Sequence, residues 1–334
     1  QTGRLLDNPS VIAVRAVRQI CLLFKHVELR CSEERELAAF NRYVKCEYDV
    51  RMFDKLYLGS KNQEEFCHAS SVLFRTLFWK IEESILQEDV VPKHSTGATA
   101  DRLMGNQKYY QKVWPVRLQR IIPWDVALLP HSSYSSEDYD VDIIEPGAEQ
   151  PVKVITVPKT QKTPRIIAME PVCMQYVQQG LLHLIIKKAK EGNKREETLP
   201  FRTFCQTWDQ SLNQGMAQVG SEFGTYATLD LSEASDRVSF QHVRDLLKHH
   251  PLLLEWVDAC RSRTARVPHY GDIRLAKFAS MGSALCFPFE AMVFTTVVLL
   301  GCADALNLPF TEQFVNKMFG RVRVYGDDIV VPTD

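Results

Sequence analysis

The chain has 334 residues, of which 45% are hydrophobic, enough apolar material for a sizeable core in one large or two to three smaller domains. Forty Lys or Arg stand against 41 Asp or Glu, and the formal net charge of -1 excludes a surface uniformly basic toward nucleic acid while allowing local patches. Nine cysteines occur singly, with no Cys-x-x-Cys pair, which argues against a zinc ribbon or a disulfide framework and fits a reducing cytoplasm.

The opening QTGRLLDNPS lacks the apolar core of a signal peptide. The start at Gln1 rather than a methionine, and the stop just after a strand-like IVV, predict a fragment cut at both ends. The first 80 residues read as a helical lead-in, with apolar residues every three or four positions in VIAVRAVRQICLLFKHVELR and ASSVLFRTLFWKIEESIL. Residues 92–108 mix Pro, Gly, Ser and Thr, and residues 131–151 are Ser-rich and acidic, so both predict loops or weak β-structure. The charge then swings: residues 131–150 carry six acids and no Lys or Arg, whereas residues 151–200 carry nine Lys or Arg against four acids. In that basic part, VKVITV and RIIAM predict two short strands around a Pro-, Lys- and Thr-rich connection, followed by a helix over QYVQQGLLHLIIKKAKEG.

Farther on, TYATLDL predicts a strand and SDRVSFQHVRDLLKHH an amphipathic helix with Phe240, Val243, Leu246 and Leu247 on one side. FPFEAMVFTTVVLLGCADAL predicts a more buried helix, since its apolar run from Ala291 to Ala303 is too short to span a bilayer. RVRVY and DIVV predict a hairpin over Gly326-Asp327, glycine at the first loop position suiting a type II′ turn. Neither an internal repeat nor a low-complexity tract is visible.

The hairpin tip raises a question of charge. Two carboxylates about 4 Å apart repel by about 4 kcal/mol at an effective dielectric near 20, so a fold that gathers them needs a proton or a cation between them. A two-metal site for phosphoryl transfer needs carboxylates from separate elements, and Asp230, closing the strand TYATLDL, is a second source beside Asp327 and Asp328. Asp236 falls in the first turn of the next helix. In FASMGSALCFPFE, the small residues Ser280, Gly282, Ser283 and Ala284 let a ligand or template backbone approach closely, and Pro288 suits the first helical turn. Lys159, Lys162 and Arg165 lie beside short strands in a layout able to hold a triphosphate. Each piece also has a plainer reading: Gly-Asp-Asp as a turn, Asp236 as a helix-start acid, the small residues as the lead into a helix, and the cations as a solvated loop.

Taken in order, VPKTQKTPRIIAMEP, ATLDLSEASDRVS, SMGSALCFPFE and VYGDD resemble motifs F, A, B and C of the palm-type RNA-dependent RNA polymerases. More narrowly, they resemble the replicase β subunit of the single-stranded RNA bacteriophages, with DQSLNQGMAQVGSEFGTYATLDLS similar to the family's approach to motif A. The resemblance runs from about residue 150 to the end. It implies an α/β (α+β) right-hand fold with helical fingers and a palm built on an antiparallel sheet, the thumb being absent. The N-terminal region and fingers would occupy 1–220, including the basic motif at 151–171. The palm would occupy 221–334, with motif A at 225–239, motif B at 278–290, motif C at 322–331 and a fingers excursion at 250–275.

The resemblance also implies roles. Asp230, Asp327 and Asp328 would bind two Mg²⁺ ions, with Mn²⁺ as an alternative, for nucleotidyl transfer. Lys159, Arg165 and, to a lesser degree, Lys162 would hold the incoming phosphates. Asp236 would bond the ribose hydroxyls, and Ser280, Gly282 and Ser283 would form the loop near the nascent base pair. Glu290 stands where the wider superfamily has Asn, and Cys286 where it has Thr, so Glu290 would take up the ribose contact. The implied partners are a single-stranded RNA template, nucleoside triphosphates and the host translation elongation factors Tu and Ts, with no membrane, in the cytoplasm of an infected bacterium. Two rival readings are a reverse transcriptase, opposed by Gly326 and Asp236, and a non-catalytic RNA-binding protein on a degenerate palm, opposed by the retained acids. A two-metal nuclease is a third. Within the excursion, Arg261, Arg263 and Arg266 would either touch template phosphates or form a surface charge cluster.

Overall fold

Long helices pack around three small sheets in this computed structural model, which describes residues 8–23, 31–129, 140–159, 163–191 and 199–333. Three helices open the chain: α1 (Val11–Leu23), exposed along its length, α2 (Glu33–Tyr57) and α3 (Lys61–Leu86). Ser60 starts α3 by accepting the Gln63 N–H at 3.3 Å, the usual work of a serine cap. After a 3₁₀ turn at Gly105–Tyr109 come β1 (Val113–Pro115), α4 (Val116–Ile121), α5 (Trp124–Leu128) and β2 (Asp142–Ile144), which pairs parallel with β1.

The strand pair read from VKVITV and RIIAM is present as β3 (Val152–Val157) and β4 (Arg165–Met169), antiparallel, with Val157 opposite Arg165. Next come α6 (Val172–Glu191), α7 (Leu199–Phe204), α8 (Ser211–Phe223), β5 (Tyr226–Leu229), α9 (Ala234–Arg237), α10 (Phe240–Leu246) and α11 (Pro251–Cys260). The antiparallel pair β6 (Thr264–Val267) and β7 (Gly271–Arg274) joins β3 through β6, giving a four-stranded sheet in the order β4-β3-β6-β7. The chain continues through α12 (Cys286–Ala305), α13 (Glu312–Lys317), β8 (Arg323–Tyr325) and β9 (Asp328–Pro332), and a second sheet has the order β5-β9-β8. The fold is therefore mixed α/β: β5-β9-β8 is antiparallel throughout, β3 runs parallel to β6 in the four-stranded sheet, and β1 runs parallel to β2.

Two expectations change in detail. The helix expected over SDRVSFQHVRDLLKHH is broken at Val238-Ser239 into α9 and α10. Ser239 is the reason: its hydroxyl accepts the Gln241 N–H at 2.9 Å and donates to Asp54 Oδ1 at 2.6 Å, so it caps a new helix instead of continuing the old one. The helix expected to run through residue 30 is described to Leu23, and residues 24–30 lie outside the described residues, as do 130–139 of the acidic loop.

The main core joins α3, α6, α10, α11 and α12 around Phe74, Phe78, Trp114, Leu181 and Phe289. A smaller one packs Phe40 and Tyr43 of α2 on Val154, Ala168, Ala265 and Val267 of the four-stranded sheet. Among the described residues, α12 is the one helix apolar and long enough to cross a membrane, yet Phe289, Met292, Val293 and Leu299 are buried within the core. Phe289 has no exposed surface and its ring lies 5.2 Å from that of Phe278. Phe289→Ala is expected to cost about 3–5 kcal/mol, read as a lowered midpoint in urea unfolding.

Candidate active site

The register of the three-stranded sheet decides where the acids meet. Leu229 pairs with Ile329 on β9, and Tyr325 pairs with Asp328 across the hairpin. One residue beyond Leu229, Asp230 therefore arrives beside the hairpin tip formed by Gly326 and Asp327. Gly326 has φ +62°, and a Cβ placed there would lie 2.3 Å from the Phe287 ring. Both conformation and space demand glycine. Asp230 and Asp327 line one cleft of about 650 Å³ and have no hydrogen-bond or ion-pair partner among the described residues. Asp328 differs, since its carboxylate accepts from Gln210 Nε2 at 2.8 Å and it is not part of the cleft wall.

Asp236, Glu290, Lys159 and Arg165 line the same cleft. Asp236 is carried on α9 and lies 3.3 Å from the Nζ of Lys277. Lys159 and Arg165 come to the cleft because the antiparallel pairing sets the end of β3 beside the start of β4, with both side chains exposed. Lys162 lies outside the described residues. Helix α2 adds further cations that the sequence reading missed: Arg35 and Arg42 line the cleft, and Arg42 Nη2 donates to Thr163 Oγ1 at 2.7 Å while its Nε lies 3.7 Å from Glu233. The overlooked signal is the helical spacing of Arg35, Ala38, Ala39 and Arg42, two cations flanking two small residues on one face.

The two serines of the small-residue loop are engaged by other side chains, while Met281 and Gly282 are exposed. Ser280 is buried and its hydroxyl lies 3.0 Å from that of Tyr43, and Ser283 Oγ donates to Gln178 Oε1 at 3.1 Å. Gly282 has φ +132°, and a Cβ there would lie 2.0 Å from the Ala168 carbonyl oxygen, so the glycine lets the loop lie against β4. Of this loop, Met281 lines the cleft, whereas Ser280, Gly282 and Ser283 do not, Ser280 being buried and Gly282 exposed. The arginines of the β6-β7 region are also committed. Arg261 is buried and donates to the carbonyls of Phe278, Leu275 and Lys277, Arg263 pairs with Asp258 at 2.6 Å, and Arg266 pairs with Asp272 at 2.8 Å.

Residues 147–334, which carry this cleft except for its α2 wall, match the family described as RNA replicase, beta-chain. The chain belongs to the RNA replicase β-chain family. It is 31% identical over 217 residues to the RNA-directed RNA polymerase beta chain of Escherichia phage MS2, covering 64% of this chain and 33% of that one. It is 30% identical over 244 residues to the RNA-directed RNA polymerase subunit beta of Qbeta virus (strain MX1), covering 72% and 36%. The chain thus aligns with about a third of the length of these replicase relatives.

Within this member of the replicase family, Glu290 is the acid whose protonation departs most visibly. Burial, with Asp327 and Asp236 nearby, pushes its carboxyl up to about 8. The folded chain keeps that proton through neutral pH, whereas an unfolded glutamate loses it near 4.5. The stabilising contribution is therefore full below that lower value and is lost as pH rises through about 8. In EDTA, Glu290→Gln is expected to melt close to the wild type at pH 5 and above it at pH 9, by differential scanning fluorimetry. Gly326→Ala is expected to lower stability by about 1–3 kcal/mol in denaturant unfolding, with part recovered when Phe287 is also shortened to Ala.

Proposed function

We propose that this chain carries the catalytic centre of a phage RNA-dependent RNA polymerase, which joins nucleoside triphosphates on a single-stranded RNA template. The observation that carries the reading is Asp230 and Asp327, unpartnered among the described residues, sharing one cleft with Asp236, Lys159 and Arg165 in a member of the replicase β-chain family. In this reading the β5-β9-β8 sheet belongs to a right-hand palm, and the four-stranded sheet with its helices to the fingers.

The donor set suits magnesium. No group of three or more metal-ligating side chains is gathered among the described residues. Mg²⁺ characteristically takes one or two protein carboxylates and completes its shell with phosphate oxygens and water, which two free aspartates in an open cleft allow. Asp230 and Asp327 would hold the metal, with Asp328 as a third proposed ligand. When bound, two such ions, of Mg²⁺ or Mn²⁺, supply Lewis acidity at the attacking hydroxyl and at the leaving pyrophosphate.

The chain's own residues then bind and orient. Lys159 and Arg165, with Lys162 and the α2 arginine Arg42 nearby in sequence or space, neutralise the triphosphate and hold it against the carboxylates. Asp236 accepts a hydrogen bond from the ribose hydroxyls, which selects ribonucleotides, and Glu290 adds a second polar group on that side of the cleft. The loop of Ser280, Gly282 and Ser283 backs the position of the nascent base pair. Choice among the four bases comes from pairing with the template rather than from side chains. The family resemblance, and no residue seen on this surface, supports the host elongation factors Tu and Ts as partners and the cytoplasm of an infected bacterium as the place of action.

Asp327→Asn and Asp230→Asn are each expected to abolish incorporation of labelled nucleotides on an RNA template while leaving RNA binding in a gel shift largely intact. Retained synthesis would overturn the assigned roles. Preference for deoxynucleotides would point instead to a reverse transcriptase, and template degradation in Mg²⁺ without nucleotides to a nuclease.

A further inference from the structure

One buried charge beside the cleft has no part in the roles above. Lys277, between β7 and the loop that leads into α12, has no exposed surface. Its ammonium lies 3.3 Å from Asp236 Oδ1, 3.5 Å from the Tyr43 carbonyl oxygen and 4.0 Å from Glu47 Oε2. It also sits 3.5 Å from the centroid of the Tyr43 ring. An ammonium without such partners is costly to bury, and two carboxylates, a carbonyl and an aromatic face surround this one.

Its two carboxylate partners do different things. Glu47 is engaged with backbone, accepting the N–H groups of Ala276 and Lys277. Asp236 opens onto the cleft. The backbone around Lys277 is held independently of its side chain, by a bridge to Ser239, by the Phe240 N–H on the Ala276 carbonyl at 2.9 Å and by the Phe278 N–H on the Val238 carbonyl at 2.7 Å. What the ammonium adds is therefore the placement of the Asp236 carboxylate. The side chain that fixes it is braced in turn from α2, since Tyr43 and Glu47 both belong to that helix.

We infer that Lys277 is a positioning residue for sugar recognition, holding the Asp236 carboxylate from behind as an acceptor for the ribose hydroxyls. Preference for ribonucleotides over 2′-deoxyribonucleotides thus depends on a lysine that does not reach the substrate. This rests on the polymerase reading of the cleft.

The test is calorimetric titration of the full chain, with a single-stranded RNA template and Mg²⁺, using ATP and 2′-deoxy-ATP. The wild type is expected to bind ATP more tightly. Lys277→Met should reduce that preference by roughly tenfold or more, as expected for loss of a hydrogen bond to a charged group, through weaker ATP binding with 2′-deoxy-ATP unchanged. Asp236→Asn should do the same, and the double variant should lose no more than either single one. Lys277→Arg, which keeps a cation there, should retain part of the preference. A lowered melting temperature with the preference intact would show a purely structural lysine and overturn the inference, leaving the polymerase reading in place. Binding of neither nucleotide by the wild type would overturn that reading and the inference with it. Should Lys277→Met fail to fold, the ammonium resonance of Lys277 in the wild type decides the matter: it should shift with ATP and not with 2′-deoxy-ATP, and equal shifts would refute the proposal.

Discussion

Five carboxyl groups, those of Asp230, Glu233, Asp236, Glu290 and Asp327, line one cleft, and their mutual repulsion is the constraint around which the rest is arranged. They fall into three groups. Glu290 is buried and keeps a proton through neutral pH. Glu233 is met by Arg42 and Arg237, and Asp236 by the ammonium of Lys277. Asp230 and Asp327 have no hydrogen-bond or ion-pair partner among the described residues, and these two exposed acids are the ones proposed to hold a divalent cation. The same three solutions to one electrostatic problem give three chemical characters to side chains of one type.

This division depends on elements far apart in the chain. The hairpin carries Asp327, the strand paired to it delivers Asp230, and the buried α12 supplies Glu290 together with Phe287, whose ring occupies the space a side chain at Gly326 would need. Helix α2 closes the other side. It packs Phe40 and Tyr43 on the four-stranded sheet, sends Arg35 and Arg42 into the cleft and braces Lys277 through Tyr43 and Glu47. A helix that reads as a lead-in is in fact one wall of the site.

Much of the site was legible in the sequence because its pieces lie on short, locally specified elements. A glycine before two acids between alternating strands specifies a tight hairpin, and an acid at the end of a β-branched run points to a neighbouring strand. Lys159, Arg165, Asp230, Asp236, Glu290 and Asp327 do converge on one cleft. Less legible was the fate of residues whose environment is set by packing. Ser280 and Ser283 look poised for a ligand by composition, yet each spends its hydroxyl on another side chain, and Arg261 looks like a phosphate contact yet is buried among backbone carbonyls. The break at Ser239 was hidden for a similar reason, since the serine becomes a cap only when Asp54 and Gln241 are brought to it.

The amino-acid sequence by itself determined the strand pair before α6, the strand that ends at Asp230, the buried helix α12, the hairpin that displays Asp327, and the motif series by which the chain resembles the phage replicases. These follow from periodicity and turn chemistry, which act over a few residues. Tertiary structure alone decided which carboxylates lack a partner, which is neutral and which are paired, that Asp328 is engaged by Gln210, that Lys277 stands behind Asp236 and that α2 walls the cleft. Desolvation and ion pairing depend on atoms brought together from distant parts of the chain, and no local pattern of residues encodes them.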